Sequence, residues 1–159
     1  MNRTNKQRLE QLARTAAREK YPNVPQHALA VQSFKDDSTN SLTRCVVDFI
    51  ILSGYQAERI SNTGTYIDGT SKFTDVLGNT RTVGSGKYIP GSGTNGTADI
   101  SATIRGRSVK IEIKFGKDRQ SEAQKRYQAA IEKAGGIYII VKEMDSFLEW
   151  YDSFIKNNS

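Results

Sequence analysis

Residues 109–120 read VKIEIKFGKDRQ. Val109, Ile111 and Ile113 alternate with Lys110, Glu112 and Lys114, a period of two that predicts a strand with one apolar and one charged face. The alternation stops at Phe115-Gly116. Glu112 and Lys114 therefore share a face at the strand's exit, about 6–7 Å apart along the backbone.

Just upstream, residues 97–104 and 107–114 predict a hairpin turning at Arg105-Gly106. Pairing through that turn sets Asp99 roughly opposite Glu112, within about 5 Å across the strands. Two carboxylates so placed repel each other unless a cation lies between them. A hard divalent ion meets that need, and Mg²⁺ binds through one or two carboxylates, waters and substrate phosphate oxygens. Lys114 beside it would orient the attacking water or neutralise charge growing on a phosphate.

Downstream, residues 121–134 predict a helix with Ala123, Tyr127, Ala130, Ile131 and Ala134 inward, ended by Gly135-Gly136. The apolar run Ile137–Val141 reads as a buried strand, and Asp145 or Ser146 as the cap of a closing helix through Phe147, Trp150, Tyr151 and Phe154. A strand-helix-strand step over 107–141 requires a parallel pairing, so the sheet is expected to be mixed.

Further out, Leu42, Cys45, Val46, Phe49, Ile50 and Leu52 predict a core helix at about 39–53, closed by Gly54, and residues 55–60 a short strand. Residues 61–98 hold eight of the 13 glycines, and 73–83 resemble a hairpin turning at Gly78-Asn79. We read this as an insertion, at about 61–96, into a domain spanning 38–159. Residues 3–19 predict a basic helix with Leu9, Leu12 and Ala16 on one stripe, followed by Pro22 and Pro25; it reads as an N-terminal arm within 1–37. The expected class is α/β with a mixed sheet, in the order helix, strand, glycine-rich hairpin, strand, strand, helix, strand, helix.

The 159 residues suit one domain with a real core. Twenty-three Lys and Arg against 17 Asp and Glu, a formal charge of +6, favour a polyanionic partner. No apolar run approaches the ~18 residues needed to span a bilayer, and the start lacks a signal-peptide core, so a soluble, cytoplasmic protein is expected. The single Cys45 sits in an apolar run and reads as a small core side chain in a reducing compartment.

Gly96-Thr97-Ala98-Asp99, Ile111-Glu112-Ile113-Lys114 and Gln124 on the next helix together resemble the PD-(D/E)XK nuclease superfamily. The likeness is strongest to its VRR-NUC and Holliday-junction-resolvase-like branch, including small phage-type members, and covers about residues 39–155. It implies a restriction-endonuclease-like core and an Mg²⁺-dependent DNA endonuclease, with Mn²⁺ a possible substitute. Branched or junction DNA is the implied substrate and a homodimer the implied assembly. By the same likeness, Asp99, Glu112 and the carbonyl of Ile113 are metal ligands, Lys114 is catalytic, and Gln124 points into the site. Ala98 stands where the name-giving proline would be, which changes backbone shape and no chemistry. The acid that many relatives carry early in the first core helix is missing; Asn40 and Asp48 are the candidates for its place.

Other readings stand beside these. Glu112 and Lys114 fit a solvated strand face, with Asp99 pairing Lys114. Ser121-Glu122-Ala123-Gln124 fits a capping box. Lys117, Arg119, Lys125 and Arg126 cluster near the proposed site and would contact phosphates, although such residues also serve as plain solvated charge. His27 is the only histidine, which leaves no material for a zinc site or a Ser-His-Asp triad. The glycine-rich 84–96 lacks the Gly-Lys-Ser/Thr that opens a phosphate-loop helix.

Overall fold

The strand read from residues 109–114 sits inside a four-stranded mixed sheet. In the computed structural model, which describes residues 1–30, 32–61, 64–91 and 93–158, it is β7 (Arg107–Ile113). The elements before it are α1 (Arg3–Lys20), α2 (Thr39–Leu52), β1 (Gln56–Arg59), β2 (Thr65–Ile67), β3 (Ser71–Thr74), β4 (Thr80–Val83), β5 (Lys87–Ile89) and β6 (Ile100–Ile104). After it come α3 (Glu122–Lys133), β8 (Ile137–Val141) and α4 (Met144–Asn157). The expected α/β class with a mixed sheet holds.

Strand order is β1-β6-β7-β8; β1, β6 and β7 pair antiparallel, and β7 pairs β8 in parallel across the α3 crossover. Arg105, at φ 52°, and Gly106, at φ 73°, make the tight β6–β7 turn. The register runs Ile104↔Arg107 to Ile100↔Ile111, which carried one step further sets Asp99 against Glu112. The ladder stops there because the next donor, the Ile113 N–H, goes to the Asp99 carboxylate (2.9 Å) and not to a backbone carbonyl. This is why β6 begins at Ile100, three residues later than the alternation suggested.

The apolar face of the sheet (Ile100, Ala102, Ile104; Val109, Ile111, Ile113; Val141) packs with Leu42, Val46, Phe49 and Ile50 of α2 and with Phe147, Leu148 and Tyr151 of α4. Phe49 sits edge-on to Tyr151 at 4.8 Å and to Phe147 at 6.0 Å. A Ser38/Ser41 capping box starts α2, and Gly54, at φ 86°, ends it as expected.

Two terminal details differ from the reading. The helix expected as an arm belongs to the core layer: Leu9 is fully buried among α2 and α4 side chains, and the Arg8 guanidinium forks onto Asp152 (2.7 and 2.8 Å) over the Phe49 ring. Burying one leucine contributes about 2 kcal/mol, and Leu12 and Ala13 pack partly against the core beside it, so the apolar stripe of a basic helix faces the protein. Neither Asp145 nor Ser146 caps α4, whose N-cap is Glu143. Asp145 instead lies in the first turn and accepts from the Asn2 N–H (2.9 Å) and the Asn5 amide (2.7 Å), tying the starts of α1 and α4 together.

The chain divides into two units, Met1–Ile60 with Asn95–Ser159, and Ser61–Thr94. The second contains two short antiparallel ladders, β2–β5 and β3–β4, exposed at every position of the four strands. The expected hairpin turn at Gly78-Asn79 is there, with Gly78 at φ 83°. Among the described residues no helix is long and apolar enough to cross a membrane.

Candidate active site

On β7 the second face is buried too. Glu112 is 1% exposed and Lys114 6%, so the solvated-face reading does not hold. α3 leans over this face: Gln124 from its first turn reaches Glu112, and Tyr127 packs against Tyr138 of β8 at 6.3 Å.

Burying these charges demands partners, and each has them. The Lys114 ammonium lies 3.0 Å from Glu112 Oε1 and 3.4 Å from Asp118 Oδ2. The Gln124 amide Nε2 also donates to Glu112 Oε1, and the Tyr138 hydroxyl donates to Oε2 at 3.4 Å. Among the described residues no buried side-chain nitrogen or oxygen lacks a partner. Asp99 flanks the group, its carboxylate fixed by the Ile113 N–H and its own carbonyl accepting from the Ile60 N–H at 2.8 Å.

The two charges of the central pair respond differently to burial. Burial pushes the Glu112 carboxyl above its ordinary range; the Lys114 contact opposes this and the nearby Asp99 charge adds to it. For Lys114, burial works against the charge, yet Glu112 and Asp118 together hold the ammonium's pKa above the ordinary 10.5. Burial, followed by the Glu112 charge, pushes the Tyr138 hydroxyl up to about 12, so it stays a donor at neutral pH.

Gln124 resolves a choice the sequence left open by doing both things. Its Oε1 accepts from the Ser121 N–H (2.8 Å), completing the capping box of α3, while its Nε2 serves Glu112. The amide's orientation follows from chemistry, since an N–H needs its oxygen and a carboxylate needs its NH₂. Gly96 seats the segment that leads to Asp99 against the same helix start. Its φ is 82°, and a β-carbon there would stand 2.7 Å from the Gln124 nitrogen.

Ile113 turns its side chain into the core at 2% exposure, so only its carbonyl is available as an oxygen donor. Lys117, Arg119, Lys125 and Arg126 are all exposed, and Lys125 pairs with Glu122 at 2.7 Å. Of the α3 residues expected inward, Ala123, Tyr127 and Ile131 are half-buried, whereas Ala130 and Ala134 are exposed because the helix rests on the sheet along a narrow line. Neither candidate for the missing acid joins the group around Glu112. Asn40 Oδ1 accepts from Arg59 (2.9 Å); Asp48 takes Gln32 and, at 3.5 Å, Arg44. Among the described residues no three His, Cys, Asp or Glu side chains gather where they could hold an ion.

Asp99 and Glu112, both hard oxygen donors on adjacent strands, fit a cation by chemistry. Burial first, and the Asp99 charge in addition, raise Glu112, and a divalent ion between the two carboxylates would offset that. Sequence reasoning missed Tyr138 and Asp118. The first is marked by the parallel register, which puts the one polar tip in IYIIV across from Lys110 on the charged face; the second stands four residues past Lys114. Cys45 is buried, donates to the Lys35 carbonyl at 3.0 Å and has a thiol pKa pushed by burial to about 11, as suits a core side chain. His27 lies on a single 3₁₀ turn, Gln26–Ala28. Comparison of the chain with models of known protein families, with curated proteins and with solved structures returns no match.

Proposed function

We propose that the protein is a divalent-metal-dependent DNA endonuclease that hydrolyses phosphodiester bonds, with branched or junction DNA as substrate. The observation that carries the reading is the Glu112 carboxylate and Lys114 ammonium 3.0 Å apart at a strand's exit, with Gln124 donating to Glu112 and the Asp99 charge close enough to act on it.

In this reading Asp99, Glu112 and the Ile113 carbonyl would hold Mg²⁺, with Mn²⁺ able to replace it. The ion would supply Lewis-acid chemistry toward the phosphate and the attacking water. Lys114, kept charged by Glu112 and Asp118, offers a cation to the oxygens that gain charge as the water oxygen bonds to phosphorus and the P–O bond to the leaving strand breaks. Gln124 and Tyr138 hold the two oxygens of Glu112 in place. Lys117, Arg119, Lys125 and Arg126 meet flanking phosphates. The likeness to junction resolvases favours a two-fold dimer acting in the cytoplasm of a bacterial or phage-infected cell.

A second reading rests on the completeness of the Glu112 hydrogen bonds and on Asn40 and Asp48 being engaged elsewhere. Here the cluster is a buried latch, and the chain binds nucleic acid without cutting it. Incubation with linear, flap and four-way DNA in Mg²⁺, Mn²⁺ or EDTA separates the two. Metal-dependent products that fall about 10²–10³-fold or more in Glu112→Gln and Lys114→Ala support the enzyme. Binding with no cleavage under any metal supports the latch, and equal cleavage by wild type and both variants sinks the assignment of the site.

A further inference from the structure

The segment between β2 and β5 has no place in that chemistry, yet its tip is the most exposed apolar feature described. Val76 and Leu77 stand 103% and 83% exposed at the β3–β4 turn. The turn is not slack: the Asp75 carboxylate accepts from the Leu77 N–H (3.0 Å) and the Asn79 N–H (2.9 Å), and the backbones of Asp75, Gly78 and Asn79 bond at 3.0 Å. Two apolar side chains are thus held out into water on a preformed loop.

Behind the tip, Phe73 faces Arg81 across the ladder, Tyr66 faces Tyr88, and Lys72 and Lys87 complete a set of three cations. The Tyr66 and Tyr88 rings lie over Gly86 and Gly64, where a β-carbon would meet them, and their outer faces are exposed. Among the described residues no carboxylate lies within ion-pair distance of Lys72, Arg81 or Lys87. Both acids of the segment accept from their own loops, Asp75 as described and Asp68 from the Thr70 N–H and hydroxyl at 2.9 and 2.7 Å. Both remain carboxylates, so the segment carries three cations against two anions, with the cations on the ladders and the anions held at the turns.

We infer that residues 64–91 form a DNA-docking ribbon, with Lys72, Arg81 and Lys87 on phosphates and Val76–Leu77 wedged against a base step. Two-stranded ribbons lie in DNA grooves, and an apolar wedge at a ribbon's tip finds its partner in a base step opened from the minor-groove side. A second copy of the ribbon is disfavoured as occupant, because two-fold pairing would bring like cations together. The inference takes from the proposed function only that the partner is DNA; cleavage plays no part in it.

The test uses the full chain in EDTA, with a fluorescein-labelled 20-base-pair duplex for affinity and a 2-aminopurine duplex for unstacking. Lys72→Ala/Arg81→Ala/Lys87→Ala should lower the slope of log affinity against log salt by about 2–3, since each phosphate contact contributes about 0.9. Val76→Ser/Leu77→Ser should keep that slope, bind about tenfold more weakly and lose the 2-aminopurine brightening. Wild-type affinity and brightening in both variants would overturn the ribbon alone. A tip variant that converts a dimer to monomer in sedimentation while binding DNA normally would overturn it in favour of a protein partner. No duplex binding by the wild type would end this inference and leave the nuclease, whose proposed substrate is branched DNA, to the cleavage panel; duplex binding here with no cleavage of linear, flap or four-way DNA under Mg²⁺ or Mn²⁺ would end only the nuclease.

Discussion

β7 and the β3–β4 ladder both set charged residues on antiparallel-paired strands and meet opposite fates. In β7 the apolar face packs on α2 and α4 and the charged face is closed over by α3, so Glu112 and Lys114 end nearly as buried as Ile111. In β3–β4 all eight positions are exposed, Phe73 among them at 60%. Alternation specifies which residues share a face. Whether a face is wet depends on what covers it, and there the chemistry changes: the same ammonium is a solvated charge on one strand and half of a buried pair on the other.

The sharpest way to break this contrast is to remove the buried ammonium. Lys114→Met should destabilise the fold by about 3–5 kcal/mol at neutral pH, because Glu112 is left buried without its counter-charge. The sign with pH follows from linkage. A carboxyl whose folded pKa lies above the ordinary 4.5 binds its proton more tightly in the folded chain. The variant's deficit should therefore shrink as pH falls through the raised Glu112 pKa toward 4.5, read as a difference in denaturation midpoint from wild type. A pH-independent deficit, or none, would mean that Glu112 is effectively solvated.

Leu9→Ala should cost about 2–5 kcal/mol in a urea titration, the range for a cavity at a fully buried leucine. A change below about 0.5 kcal/mol would mark α1 as a solvated arm after all. Next in size is the double duty of Gln124. Ser121→Ala should cost about 1 kcal/mol through the lost cap and leave any cleavage intact, whereas Gln124→Ala should cost as much and also weaken cleavage. If the two variants match in both readouts, Gln124 is a cap and nothing more. The smallest effect belongs to the ribbon: Val76→Ser/Leu77→Ser should move the midpoint by no more than about 0.5 kcal/mol, because neither side chain buries anything in the free protein.

Much of this could be read along the chain, and the limits were local. The glycine stops at Gly54 and Gly135 and the tight turn at Arg105-Gly106 mark places where only certain residues take a positive φ, so they are visible without neighbours. The cap of α4 was misread because Asp145, an ordinary capping residue, is taken by Asn2 and Asn5 from the other end of the sequence. The arm was misread because a basic helix with a thin apolar stripe looks solvated until a partner for Leu9 is known. Tyr138 hid inside an apolar run whose face only the parallel register decides.

What the sequence by itself determined is the mixed α/β class, the hairpin register through Arg105-Gly106 and the presence of Glu112, Lys114 and Asp99 on one face, since period and turn length are properties of the backbone. What only the tertiary structure decided is that this face is dry, that Gln124 and Tyr138 complete the shell of Glu112, and that Asn40 and Asp48 stay out of it. Those outcomes depend on which helix lies over which strand, and that is set by packing between residues far apart in the chain.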